Sequence, residues 1–143
     1  MSMASIREQL LVAIATALST VPDVTVERSR VTAVDLKSEG TVLTVMPIAE
    51  QVVQRIASRV RRELTIEITV PARGKVPDQA ADATASAVHA ALFADSRFGG
   101  LACELREDSR AWSIDPAEQN VVVVTMAYLI VFDTSLADES VAN

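Results

Sequence analysis

Aromatic residues make up only 3% of this 143-residue chain, and histidine and cysteine occur once each. Each shortage removes a class of function. A single cysteine cannot close an internal disulfide or build a thiolate metal site, so a reducing compartment is expected. A single histidine cannot share a metal with a second imidazole. With so few rings there is no platform for stacking bases, and sequence-specific nucleic-acid recognition is not expected. Basic residues are also short, 13 Lys and Arg against 19 Asp and Glu, for a formal net charge of -6. That balance disfavours phosphate backbones and anionic membrane surfaces. The longest apolar run, "VVVVTMAYLIVF" at 121–132, is far short of the ~20 residues of a membrane helix. The opening "MSMASIREQL" carries polar and charged residues where a secretory segment would be apolar. A soluble, intracellular-type chain without a membrane partner is the expectation.

What remains is aliphatic. Half the residues are hydrophobic, which excludes a disordered chain, and the length suits one domain burying about two-thirds of its unfolded surface. Residues 5–20 carry Ile6, Leu10, Ala13, Ile14, Ala17 and Leu18 at helical spacing, with Ser5 and Glu8 as a capping-box pattern and Pro22 at the exit. Strand-like runs follow at 24–31 and 41–47, with "DLKSEG" between them as a loop. Residues 50–57 and 60–71 read as a hairpin, although Val53, Ile56, Val60 and Leu64 also fit a helix face. The firm part is "LTIEITV", where Leu64, Ile66, Ile68 and Val70 alternate with Thr65, Glu67 and Thr69. "RGKVPD" is a turn. An Ala-rich helix over 78–94 puts Ala81, Ala85, Val88 and Leu92 on one face and Asp78, Asp82, Ser86 and His89 on the other. "LACELREDSRAWSI" reads as a polar edge strand ended by Pro116, and 121–135 as the last strand. The expectation is an α+β domain over 1–136, a mostly antiparallel sheet with two helices packed on one face. Residues 137–143 are expected to fray as an acidic tail.

The candidate chemistry is thin. Gly99-Gly100 follows a helix and precedes a strand, without the Lys-Ser/Thr of a phosphate loop or the third glycine of a dinucleotide loop, so it reads as a turn. His89 is expected on the solvent face. Cys103 could be a nucleophile only if the fold brought His89 to it, and the nearby Glu104 and Glu107 disfavour a thiolate. Glu104, Glu107 and Asp108, interleaved with Arg106 and Arg110, read as a solvated strand face rather than an acid–base pair. Arg55, Arg59, Arg61 and Arg62 form the one local excess of positive charge, a solvated or protein-binding patch. The last strand is apolar on both faces, with Val121, Val123, Ala127, Leu129 and Val131 on the second. Either the domain's own loops or another subunit must cover that face, and a partner is favoured.

The order of these elements is itself informative: an amphipathic helix, short strands, a hairpin ending in "RRELTIEITV", an Ala-rich helix, "FGGLACELRE", and a long strand running into "VFDTSLADES". Over residues 5–136 this order resembles the phage minor tail protein family of tail terminators, or tail completion proteins, of long-tailed phages and prophages. The ordered set carries the resemblance, not any single motif. In that family the closing strand alternates apolar residues with Arg and Thr; here Val123, Ala127, Leu129 and Val131 depart from that pattern. The resemblance implies an α/β fold and a homo-oligomer, typically a hexameric ring, that caps the tail tube and offers the head a docking surface. The tube could serve as the template on which the ring closes. Its implied partners are the major tail tube protein and a head–tail connector protein. The implied location is the virion tail, with assembly in the host bacterial cytoplasm. No cofactor, metal or reaction is implied. The candidate subunit interface is Arg59, Arg61 and Arg62 with Val123, Leu129 and Val131. The alternatives are a neck or head–tail connector subunit and, from another class, a small cytosolic enzyme using Cys103.

Overall fold

The computed structural model describes residues 4–30, 34, 36–114 and 120–142, with the side chains of 37 and 38 left aside. Helix α1 (Ile6–Leu18) begins where the capping pattern places it, the Ser5 hydroxyl accepting the Glu8 N–H at 3.1 Å. Only half the capping box forms. The Glu8 carboxylate does not turn back; it takes Arg28 at 2.6 Å, tying the helix to strand β1 (Val24–Arg28). Ile6, Leu10, Leu11, Ile14 and Leu18 are buried, each contributing roughly 1.5–3 kcal/mol gross.

The expected loop at 35–40 contains a one-turn helix, α2 (Leu36–Glu39). The two short runs expected at 41–47 and 50–57 are one strand, β2 (Thr41–Ile56). A bulge between Pro47 and Ala49 joins them, the device by which a sheet absorbs a residue without an N–H. β2 turns into β3 (Arg59–Arg73), so 50–62 is strand rather than helix. Alternation places Leu64, Ile66, Ile68 and Val70 fully inside. Helix α3 (Pro77–Phe93) buries Ala81, Ala85, Val88 and Leu92, the four residues read as its apolar face. After it, Gly99 and Gly100 adopt φ of 69° and 92° in a short 3-10 turn. The Gly99 N–H donates to the Asp95 carboxylate at 2.9 Å, so the pair is a turn anchored by its own loop.

Strands β4 (Glu104–Ile114) and β5 (Val121–Ser135) complete a five-stranded sheet of order β1-β2-β3-β5-β4, antiparallel except for the β1–β2 pair. The break expected at Pro116 lies outside the described residues. α3 packs on β3 and β5, and α1 packs beside α3 and β1. The core gathers the helix-side row of β5, Val122, Val124, Met126, Tyr128, Ile130 and Phe132. The fold is therefore α+β, with both long helices on one face.

The segment expected to fray is tied back instead. Glu139 accepts the Ile6 N–H at 2.8 Å through its carbonyl, and the Val141 carbonyl accepts the Ser135 N–H at 2.9 Å. The Glu139 carboxylate pairs with Arg7 at 3.1 Å and Arg62 at 3.4 Å. Charge neutralisation and helix N-terminal capping together hold what polarity alone suggested was loose.

Candidate assembly surface

The face of the sheet away from α1 and α3 is built around β5. Register sets the order of its side chains: Val131 lies between Glu63 of β3 and Glu104 of β4, and Leu129 between Thr65 and Arg106. Val123 lies between Pro71 and Ser113. An apolar row is thus flanked by longer or polar side chains, whose methylene stems can shelter it. Val131 is buried, at 6% exposure, while Val123 and Leu129 are half-buried. The row is the most apolar strip of this face; among the described residues both long helices pack on the other face, and α2 sits against β2 and β3.

At the hairpin end the row finishes on a charge. Asp133, 5% exposed, follows Val131 on the same face. Arg61 opposes it in register and forks onto it, Nε at 2.9 Å and Nη2 at 3.1 Å. Arg59 stands 3.8 Å away, and the Cys103 thiol donates to the same carboxylate at 3.6 Å. The Arg61 hydrogen bonds hold the Asp133 carboxyl below the usual range, against the cost of burial. Cys103 moves the other way. Partial desolvation, then the Asp133 charge, pushes the thiol up, and Arg61 only partly opposes them. Glu104 and Glu107, the acids expected to quieten Cys103, are not the cause.

The four-arginine patch does not form a single surface. Strand alternation sends Arg59 and Arg61 to the outward face and Arg62 to the helix side. There Arg62 donates to Thr134 Oγ1 at 3.1 Å and to Glu50 at 3.2 Å. Arg7 of α1 grips the same Glu50 at 2.6 Å. Burial pushes the Glu50 carboxyl up, but Arg7 and Arg62 outweigh it and the net displacement is downward. This Arg7–Glu50–Arg62–Glu139 network staples α1, the hairpin and the C-terminal segment together, which is structural work.

The residues of a Cys103 enzyme are not brought together. His89 was expected on the solvent face; it is half-buried, its Nδ1 2.9 Å from the Tyr128 hydroxyl and its ring 4.6 Å from that of Phe93. Tyr128 is fully buried on the helix side. Burial and then the Glu107 charge push its hydroxyl up to about 12, with Arg110 opposing. His89 therefore satisfies a core hydroxyl on one face while Cys103 meets Asp133 on the other. The acid cluster divides in the same way: Glu104 pairs with Arg106 at 3.0 Å, and Glu107 lies 3.7 Å from Arg110. Among the described residues no group of three or more His, Cys, Asp or Glu could hold a metal, and no helix is long and apolar enough to cross a membrane.

Comparison with solved structures shows likenesses, one of them to a virion particle. The chain is similar to one in the "Virion of native gene transfer agent (GTA) particle". The two share 14% sequence identity, with 89% of this chain and 90% of that chain covered, at a TM-score of 0.39. No family model matches, and no curated protein matches. At that TM-score the functional reading rests on this chain's own residues.

Sequence reasoning missed Asp133 as the hub of the outward face, although a signal was present. Counting in twos from Val131 reaches Asp133, the one charged residue in a row otherwise made of Val, Ala, Leu, Thr and Ser. The Tyr128–His89 contact had no such signal, because it depends on how α3 lies across β5.

Proposed function

We propose that this chain is a structural virion protein that caps a phage tail tube as a ring, ends tube growth and presents a docking surface to the head. The observation that carries the reading is the outward row of β5, an apolar strip in mid-sheet bordered by charges and closed at one end by Asp133, with both long helices on the other face. Such a strip suits a partner protein better than a small substrate. The order of elements supports the same reading: helix, hairpin, Ala-rich helix, glycine turn, edge strand and long closing strand. In this reading Val123, Leu129 and Val131, with Arg59 and Arg61 on the same face, are the candidate contact residues. Arg62, turned to the other face, supports the hairpin from behind. The partners are further copies of the chain in a hexamer, the tail tube protein and a head–tail connector. The working location is the virion tail, after assembly in the host cytoplasm.

Electron microscopy of the purified protein, alone and mixed with tail tubes, is the test. Six-fold rings, free or at tube ends, are expected. A protein that neither forms rings nor binds tube ends would sink the proposal.

A further inference from the structure

Two apolar patches on the helix side of the sheet escape both long helices, and they lie at opposite corners. The first is at the end of β4, where Trp112 and Ile114 are 55% and 82% exposed. They pair with Val124 and Val122, core residues, and so continue the inner row past the start of α3. With Pro77, Asp78, Val121 and Val122 they line an open groove of about 520 Å³. The second patch is on the outer half of β2. Among the described residues β2 is paired on its outer edge only as far as Val45, by β1, and its edge is open beyond. Val52 and Val53 there are 50% and 47% exposed, at a second bulge, with the exposed Arg55 next to them.

The two patches cannot meet within one chain. Val52 stands level with Phe132 of β5, and Trp112 stands level with Val124. That is about eight residues along the strand, or roughly 27 Å. Their charges are opposite and unspent. Among the described residues neither Arg55 nor Asp78 takes part in an ion pair, whereas Arg59, Arg61 and Arg62 all do. An exposed Trp beside a concave apolar wall has the composition of an interface anchor.

We infer that these corners dock on each other between copies: Val52 and Val53 of one copy enter the Trp112–Ile114 groove of the next, and Arg55 meets Asp78 at its rim. The contact is head-to-tail, joining two different patches, so it propagates around a ring rather than ending at a dimer. It rests on the ring reading for its partner but uses the opposite face of the sheet from the β5 row. Extending chain after chain from the open β2 edge also protects an edge that would otherwise aggregate.

Trp112 is the only tryptophan in the chain, so its emission reports this groove alone. On assembly its emission is expected to shift to the blue and resist acrylamide quenching. Asp78→Arg and Arg55→Asp should each weaken association by roughly tenfold or more, through like-charge contact. The two reversals combined should restore association, with circular dichroism confirming that each variant folds. Rings that still form in Asp78→Arg, with Trp112 emission unshifted, overturn this contact and leave the ring reading standing. A chain that stays monomeric with unshifted emission, at millimolar concentration and in the presence of tail tubes, overturns both.

Discussion

Arg61 and Asp133 face each other across the β3–β5 ladder and form a two-pronged ion pair, at 2.9 and 3.1 Å, with the carboxylate buried and the guanidinium partly in water. The asymmetry of exposure decides what breaking the pair costs. Arg61 can rehydrate if Asp133 is lost, whereas Asp133 cannot if Arg61 is lost. Removing Arg61 is therefore the worse change.

Asp133→Asn should destabilise the domain by about 1–3 kcal/mol and Arg61→Ala by more, as measured by urea denaturation. The pH dependence has a definite sign. The Asp133 carboxyl lies below its ordinary value in the fold, so its contribution is complete above the unfolded value near 4. That contribution falls away as pH drops towards the folded value. Asp133→Asn should flatten this acid limb. It should also make Cys103 alkylate faster at pH 8, because one cause of the raised thiol pKa is gone. An unchanged alkylation rate would show that the carboxylate does not govern the thiol.

Tyr128 is the only tyrosine, so ultraviolet difference titration reads it directly. A midpoint of about 12 is expected in the folded protein. The folded value is raised, so its stabilisation is complete below the unfolded value near 10 and disappears as pH rises through the folded one. His89→Ala should preserve the fold at a cost of about 1–3 kcal/mol, since it takes a partner from a buried hydroxyl. Tyr128→Phe, which leaves only a half-exposed imidazole to hydrate, should cost less. A larger loss in Tyr128→Phe would reverse the assignment.

Gly99→Val and Gly100→Val should each destabilise by ~1 kcal/mol or more. The cause is backbone conformation alone, because a Cβ at either position would meet nothing within 4 Å. Asn, which tolerates positive φ better, should recover part of the loss. Equal losses for Val and Asn in thermal melts would point instead to a missing close contact.

Leu129→Arg should leave the monomer folded and stop assembly on the outward face. Leu129 is half-exposed and faces Arg106, so the fold loses at most ~1 kcal/mol through like-charge repulsion. Sedimentation and microscopy separate the outcomes. An unfolded variant would mean that the chain itself covers this row. Normal rings would remove the row from any subunit contact.

The division between what was legible and what was not follows the range of each interaction. The alternation of Leu64, Ile66, Ile68 and Val70 and the apolar face of α3 depend on neighbours two to four residues away, and both are visible in the sequence. The helix–sheet class follows from them. The continuity of β2 was hidden because Pro47 looks like a terminator, and only the opposing strand shows the bulge that accommodates it. The arginine patch was misjudged for a simpler reason: Arg61 and Arg62 are adjacent in sequence, and in a strand adjacency means opposite faces. Cys103 and His89 were paired as the only reactive side chains available, but partners across a sheet depend on register. Strand pairing placed Asp133 beside Cys103, and the packing of α3 on β5 placed Tyr128 under His89.

The sheet order has a consequence during synthesis. β3 is complete at Arg73, yet the strand that pairs with it along its full length is complete only at Ser135. At about 5–20 residues per second, Leu64, Ile66, Ile68 and Val70 wait several seconds with one ladder edge open. Throughout that interval the nascent chain carries an aliphatic strand whose final neighbour has not left the ribosome. Its yield in a cell should therefore depend on translation speed and on holdase chaperones more than on the stability of the finished domain.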